Sequence, residues 1–529
     1  MKLVKSFNDR YQWWLLLSSI IFFLFIPALK IKFWWVDDGY SILVAKQVVD
    51  SLRNLDLKGL EIILFEPSGR FRTVYWLYQT FVYVVAGTNP QVFFMVHFLA
   101  ILLTSIIVFE IVKNISKSNL SGFIAGALFI LTPINTENLY RLGPGEPILA
   151  LFVSASLYYL TSRKIAPAIL FLLLATFTKE TGFALWLPVF FAYLLKRVFY
   201  KKRDKNFEKY CIWGATFLLP VFAYTLFRKS SYIGNYAWNL SDIGNSFSYF
   251  LKSTMKGFAP FPAVLISTYI IRIISFLKSK KNEKMGLYFA EEGMFIILFL
   301  VFVLIQLPWK FLLDRYLMPA TVGMVIFLGI ELAETSRFLK RYGVNTKGLA
   351  FWVFIIYFII GIVVNSLRVY RQGERFAYET NLIQKLYSDL SEKLPQNGIV
   401  LLNFLKGDST VELVYETDLQ LELFYDRKDA RVEYLNLENL PSKPFVVIGT
   451  PMIREQYSRE DVEKTIRNYH KKADLVFEKK LLIITDPYNL LKQIVKKFGQ
   501  RVFLRNKITS DGIYTFYVLR DFWYQYEVR

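Results

Sequence analysis

Two adjacent carboxylates, Asp37 and Asp38, stand at the end of the first long apolar stretch of this chain. Such a pair can divide labour. One carboxylate takes a proton from a hydroxyl, while the other orients that hydroxyl or shares a divalent cation. Side chains suited to phosphate recur further on. Arg315, followed by Tyr316, can make bidentate, charge-assisted bonds to a phosphate. Arg70 and Arg72 alternate within Gly69-Arg70-Phe71-Arg72. Lys179 and Glu180 interrupt an otherwise apolar run, as a tight hairpin between helices or as an ion pair at membrane depth. Glu137, Arg141 and Glu146 share a short linker with Asn135. Each has a plainer reading: Arg315 paired with Asp314, Lys179 with Glu180, Arg70 and Arg72 among lipid headgroups. His97, on an apolar run, reads as a core histidine.

The elements that must position these residues follow from composition. The chain has 529 residues, of which 54% are hydrophobic and 18% aromatic. A helix needs about 20 apolar residues to cross a bilayer, and backbone in lipid must pair internally. The apolar stretches therefore read as helices of a multi-pass membrane protein, with about eleven spans: 12–29, 91–112, 119–134, 147–162, 165–178, 181–195, 211–227, 258–277, 287–308, 316–334 and 349–366. The first is no ordinary signal peptide, because it lacks a small-residue cleavage site and many spans follow it. The single cysteine, Cys211, excludes an intrachain disulfide, and two histidines make a histidine zinc site a poor reading.

Orientation comes from the basic residues. The net charge is +21, and most lysines and arginines lie in short loops between spans, which is the positive-inside pattern rather than a nucleic-acid-binding surface. Lys2, Lys5 and Arg10 place the N-terminus in the cytoplasm. Residues 74–86 are apolar but short and end at Gly87-Thr88-Asn89-Pro90. They read as an interfacial helix, because counting them as a span would send the later basic clusters outside. Residues 30–73 then form a first external loop, with an amphipathic helix over Ser41–Leu57 and an interfacial aromatic belt at Phe33-Trp34-Trp35. After residue 366 charge rises and apolar runs shorten. Glu374–Leu394 predicts a helix, and Ile399–Phe404, Phe445–Gly449, Leu481–Thr485 and Tyr514–Leu519 predict short strands. The expected organisation is a membrane domain over 1–366 and an extracytoplasmic α/β domain over 367–529.

In this topology the chemistry-bearing residues all fall on the outer face. Their order resembles the GT-C superfamily of integral-membrane glycosyltransferases, which includes protein O-mannosyltransferases and lipid A aminoarabinose transferases. The resemblance rests on Asp37-Asp38 after span one, on GRFRTVYWLYQTFVY from Gly69 to Tyr83, and on Thr178-Lys-Glu-Thr181 and Asp314-Arg-Tyr-Leu-Met-Pro319. It covers about residues 10–366. Thr73 stands where bacterial members carry proline, and the external loop after span three lacks the histidine common in the protein-mannosylating branch. The resemblance implies transfer of a sugar from a polyprenyl-phosphate carrier to an extracytoplasmic glycan, lipid or protein, with inversion. Asp38, then Asp37, would activate the acceptor or hold a divalent cation. Arg315 and Lys179, with Arg70 and Arg72, would take the donor phosphate. Glu137, Arg141, Glu146, Glu180 and Tyr316 would line the cavity. Membrane lipids and the lipid-linked sugar are the expected partners, and nucleic acid is not. Two other classes compete. A transporter or flippase of lipid-linked substrates predicts repeated halves and midplane charges, and a non-catalytic scaffold predicts indifference to losing both aspartates.

Overall fold

The computed structural model describes residues 2–34, 37–64, 72–200, 203–227, 243–258, 269–270, 283–307, 313–341, 349–394, 396–406, 408–441, 445–449, 456–458, 460–462, 464–465, 474–483 and 517–528. Helices dominate. In chain order they are α1 (Lys2–Ala28), α2 (Asp38–Arg53), α3 (Lys58–Leu64), α4 (Thr73–Ala86), α5 (Pro90–Ser116), α6 (Asn119–Leu131), α7 (Thr136–Tyr140), α8 (Glu146–Thr161), α9 (Ile165–Thr178), α10 (Trp186–Tyr200), α11 (Lys205–Phe227), α12 (Ile243–Phe258), α13 (Glu283–Gln306), α14 (Met318–Arg341), α15 (Leu349–Lys393) and α16 (Asp408–Tyr425). The chain forms two compact units, residues 1–29 with 45–369, and residues 30–44 with 370–529.

The first unit is a helical bundle in which α5 packs on α6 and α8, α8 on α9, and α13 on α14. Local chemistry sets the helix ends. Asn89 caps α5 by accepting from the Gln91 amide at 3.0 Å, with Pro90 in the first turn. Ser118 caps α6 by accepting from the Ser121 amide at 3.2 Å. Helices α5 and α6 approach closely because Gly122 and Gly126 lack side chains. A Cβ there would lie 2.8 Å from the Phe109 carbonyl oxygen and 2.9 Å from that of Ser105.

Among the described residues, four helical stretches are long and apolar enough to cross a membrane: Tyr11–Ala28, Pro90–Ser116, Glu180–Val198 and Asp314–Arg337. Asn119–Leu131 with Pro133–Tyr140 makes a fifth if its 42° bend lies within one span. The expected span 258–277 falls mostly outside the described residues. Helix α4 has 14 residues, which rise about 21 Å, short of a hydrocarbon core of about 30 Å. It buries Tyr75, Trp76, Gln79 and Val82 and leaves Leu77, Phe81, Val84 and Val85 exposed as an apolar stripe.

Three of the connections at one end of this bundle contain short 3₁₀ turns: Pro133–Asn135, Glu180–Leu185 and Asp314–Leu317. Glu137 and Arg141 follow the first, Lys179 immediately precedes the second, and Arg315 and Tyr316 lie in the third. Glu146 opens α8 at the same end.

The second unit is built on a five-stranded sheet of β1 (Ile399–Leu402), β2 (Arg431–Tyr434), β3 (Phe445–Gly449), β4 (Asp474–Ile483) and β5 (Tyr517–Val528), in the order β2-β1-β3-β5-β4. Strand β1 runs parallel to β2 and β3, and β5 runs antiparallel to β3 and β4. The central strands are apolar at every position because both faces are covered. Val400, Leu402, Val446 and Ile448 pack with Ile383, Tyr387 and Leu390 of α15. Ile399, Leu401, Phe445 and Val447 pack on the other face with Leu435, Leu440 and Val462. The outer antiparallel strands differ from the short apolar strands expected there. Strand β4 begins at Asp474 and β5 extends to Val528, with Phe445 paired to Val528 and Asp474 to Glu527. The hydrogen-bond ladder, not apolarity, sets their extent.

The chain entering α2 belongs to this second unit. Phe33 stacks on Phe424 with centroids 4.6 Å apart, and Trp34 packs against Phe376 at 5.3 Å. Phe33 is buried, so these two rings serve a protein core rather than the lipid interface expected of an aromatic belt; Trp35 lies outside the described residues.

Candidate functional site

The three turns bring an ion cluster together inside the first unit. One oxygen of Glu137 accepts from Arg141, one turn further along the chain, and from Arg315 at 3.4 Å. Two guanidiniums thus share one carboxylate. The Arg315 contact is long for a charge-assisted bond, which closes to about 2.7–2.9 Å at full strength. Arg315 is held from behind, because its backbone carbonyl accepts from the Asn138 side chain at 2.9 Å. Asn135 donates to the Phe129 carbonyl at 2.8 Å and to Thr321 at 3.4 Å, tying the first turn to α14.

Lys179 donates to Glu146, not to its chain neighbour Glu180. Both partners are largely buried, with side chains 14% and 3% exposed, so each holds the other's charge in a poorly solvated place. The Tyr316 ring is close to both cations: the Lys179 ammonium sits 4.4 Å from its centroid and the Arg315 guanidinium carbon 5.4 Å. Arg315 pairs with Glu137 rather than Asp314. The Asp314 carboxylate instead accepts from the Ser253 hydroxyl of α12 at 2.5 Å. Tyr249, one turn earlier on α12, also reaches Asp314. Burial, and next that carboxylate, push the Tyr249 hydroxyl above its ordinary pKa and keep it a neutral donor.

Helix α4 closes on the same linker. The Tyr75 hydroxyl donates to the Gly143 carbonyl at 2.7 Å, and Gln79 donates to that of Leu142 at 3.4 Å. Arg72, just before α4, lies over the rings of Tyr75 and Trp76 at 5.0 and 5.7 Å. Arg70 lies outside the described residues. His97 is fully buried and stacks on Tyr78, as a core histidine does.

The acidic pair sits in the second unit. Asp38 opens α2, is fully buried, and accepts from the Trp34 amide at 2.7 Å. A carboxylate in the first turn also suits the helix dipole. Asp37 is half-buried and adopts φ 72°, a left-handed conformation uncommon outside glycine, asparagine and aspartate. The preceding chain is pinned by side chains of the C-terminal segment. Thr380 accepts from the Lys32 amide at 3.0 Å, Gln384 donates to the Phe33 carbonyl at 3.2 Å, and Gln420 donates to the Trp34 carbonyl at 2.6 Å.

No family model matches the chain, and no curated protein matches it. Among solved structures, the crystal structure of ArnT from Cupriavidus metallidurans bound to undecaprenyl phosphate matches with a TM-score of 0.50 at 12% identity. The match covers 90% of this chain and 97% of that chain. The chain shares the overall fold of that structure. Its described helices include four that are long and apolar enough to cross a membrane.

Within this helical bundle the expected residues Glu137, Arg141, Glu146, Lys179, Arg315 and Tyr316 form one cluster. Among the described residues no group of three or more His, Cys, Asp or Glu side chains could hold a metal ion. Asp38 is already committed to the Trp34 amide. Among the described residues Asp37 and Asp38 have no third His, Cys, Asp or Glu side chain beside them. Ser253 and Tyr249 were not anticipated. The signal for them was the buried stripe Ser246, Phe250 and Thr254 at four-residue spacing, which marks 243–258 as an amphipathic helix.

Proposed function

We propose that this chain is an inverting glycosyltransferase that takes a sugar from a polyprenyl-phosphate carrier and delivers it to an extracytoplasmic acceptor. The observation that carries the reading is the sharing of Glu137 by Arg141 and Arg315, in a fold like that of a protein crystallised with undecaprenyl phosphate. Arg315 releases its long contact to Glu137 and turns its planar fork to the lipid phosphate. Lys179, Tyr316 and Arg141 complete the wall, and Arg72 guards the approach; the resemblance assigns Arg70 to the same phosphate. As the bond from the anomeric carbon to the phosphate breaks, charge grows on the phosphate. The guanidinium is already in place to stabilise it. By the resemblance to GT-C transferases, the acceptor hydroxyl gives its proton to Asp38 or Asp37 as the new glycosidic bond forms with inversion. Asp38 is the first choice, with Asp37 beside it to orient the hydroxyl.

The same reading has about eleven spans, a cytoplasmic N-terminus, and a C-terminal α/β unit outside. Native mass spectrometry of the detergent-purified protein tests it. Wild type should retain a polyprenyl-phosphate sugar that Arg315→Ala loses, and Asp38→Asn should retain the lipid but lose transfer. No retained lipid, even after addition of polyprenyl-phosphate sugars, would overturn the donor assignment. Retention with transfer unaffected by neutralising both aspartates would overturn their catalytic role.

A further inference from the structure

A cavity of about 440 Å³ lies at the end of the bundle away from the Glu137 cluster. Glu146 opens α8 and Thr161 closes it; those 16 residues span about 24 Å between the two places. The cavity has two kinds of wall. Leu160, Phe207, Met294 and Phe295 make an apolar floor, and Lys117, Arg163 and Asp204 bring charge to the rim. Asp204 is already engaged: Lys196, itself 3% exposed, reaches it at 3.3 Å, and the Asn206 amide donates to it at 3.1 Å. Among the described residues neither Lys117 nor Arg163 has an ion-pair partner.

Both cations end helices, Lys117 at φ 57° after α5 and Arg163 at φ 60° after α8. A helix C-terminus carries partial negative charge that opposes an anion. Here the last carbonyls are taken up locally. Lys117 N donates to Lys113 O at 2.8 Å, Arg163 N to Leu160 O at 2.9 Å, and Lys164 N to Tyr159 O at 2.8 Å. The two side-chain charges therefore dominate the rim.

We infer that this cavity binds the phosphate headgroup of an anionic membrane phospholipid. Basic pockets between membrane helices take such headgroups, and a volume of this order is ordinary for a ligand site. The apolar floor would receive the glycerol and first methylenes, which a free phosphate does not have. A zwitterionic headgroup would bring a cationic amine, and among the described rim residues its acidic partner, Asp204, is held by Lys196.

The test uses the full chain in detergent, mixed with equimolar dioleoyl phosphatidylglycerol and dioleoyl phosphatidylcholine and read by native mass spectrometry. Wild type should prefer the anionic phosphatidylglycerol, and Lys117→Asn/Arg163→Asn should lose that preference, by about fivefold for each cation removed. Asparagine accepts the left-handed conformation, so both helix ends are kept. Ser162→Trp, which fills the cavity without changing charge, should lose the lipid as well. Retention of lipid at the Arg315 site should be unchanged in both variants, which separates this proposal from the transferase reading. An unchanged preference in either folded variant overturns the proposal. So does full displacement of the lipid by millimolar inorganic phosphate, which would make the site one for a soluble anion.

Discussion

The side-chain amide of Gln420 donates to the backbone carbonyl of Trp34 at 2.6 Å, across 386 residues of sequence. Gln384 completes the link, donating to the Phe33 carbonyl and to the Gln420 side-chain oxygen at 3.0 Å. The chain that presents Asp37 and Asp38 is thus held by residues near the other end of the protein. The placement of the acidic pair depends on the C-terminal unit being folded.

Gln420→Ala should therefore impair transfer while leaving lipid retention intact. Gln420 is fully buried, and losing its bonds costs about 1–3 kcal/mol. Transfer assays beside native mass spectrometry check this. Equal loss of lipid and transfer would point to general unfolding instead.

Removing one member of the Glu146–Lys179 pair should be worse than removing both. Glu146→Ala leaves a largely buried ammonium uncompensated, at about 3–5 kcal/mol. Glu146→Gln with Lys179→Met should recover most of that in thermal unfolding, although donor binding stays weak. Additive losses would mean that the two charges are solvated separately.

In the proposed donor site, Glu137 competes with the lipid phosphate for Arg141 and Arg315. Glu137→Gln should lower the unfolding midpoint without lipid but tighten retention of the lipid phosphate, roughly tenfold or about 1.4 kcal/mol. Weaker retention would mean that Glu137 positions the guanidiniums rather than competing for them.

A pH-dependent contribution is expected in the second unit. Hydrogen bonds from Arg427 hold the Asp429 carboxyl down at about 2. Asp429 also accepts from the Asn397 amide at 2.7 Å, and Arg427 donates to the Leu394 carbonyl at 2.6 Å, beyond the end of α15. A carboxyl whose folded pKa is depressed stabilises the fold above its unfolded pKa, near 3.9, and loses that contribution as pH falls toward 2. Asp429→Asn should lower the thermal midpoint at pH 6 and flatten its fall between pH 4 and 2. The pair is partly buried and still reached by solvent, which keeps the effect modest. An unchanged slope would mean that the bonds are not maintained in solution.

Much of the framework was legible in the sequence. The apolar stretches at 91–112, 147–162 and 165–178 had to become helices, because backbone in an apolar medium can satisfy itself locally only that way. The runs Ile399–Phe404 and Phe445–Gly449 read as buried strands because central strands covered on both faces need no polar alternation. The residues of the cluster at Glu137, Arg141, Glu146, Lys179 and Arg315 were recognisable because ionisable groups between apolar helices are expensive without a use.

Tertiary structure alone decided the partners. Lys179 had Glu180 beside it in sequence and bonds instead to Glu146; Arg315 had Asp314 and reaches Glu137. Adjacent residues in a 3₁₀ turn point in different directions, so the neighbour in sequence is rarely the neighbour in space. Phe33 and Trp34 carry the composition of a lipid-interface belt, yet they fill a protein core. An apolar ring is stabilised wherever water is excluded, and hydrophobicity does not specify whether lipid or protein excludes it. The sequence determined which residues had to leave water, and only the packed structure determined what they met there.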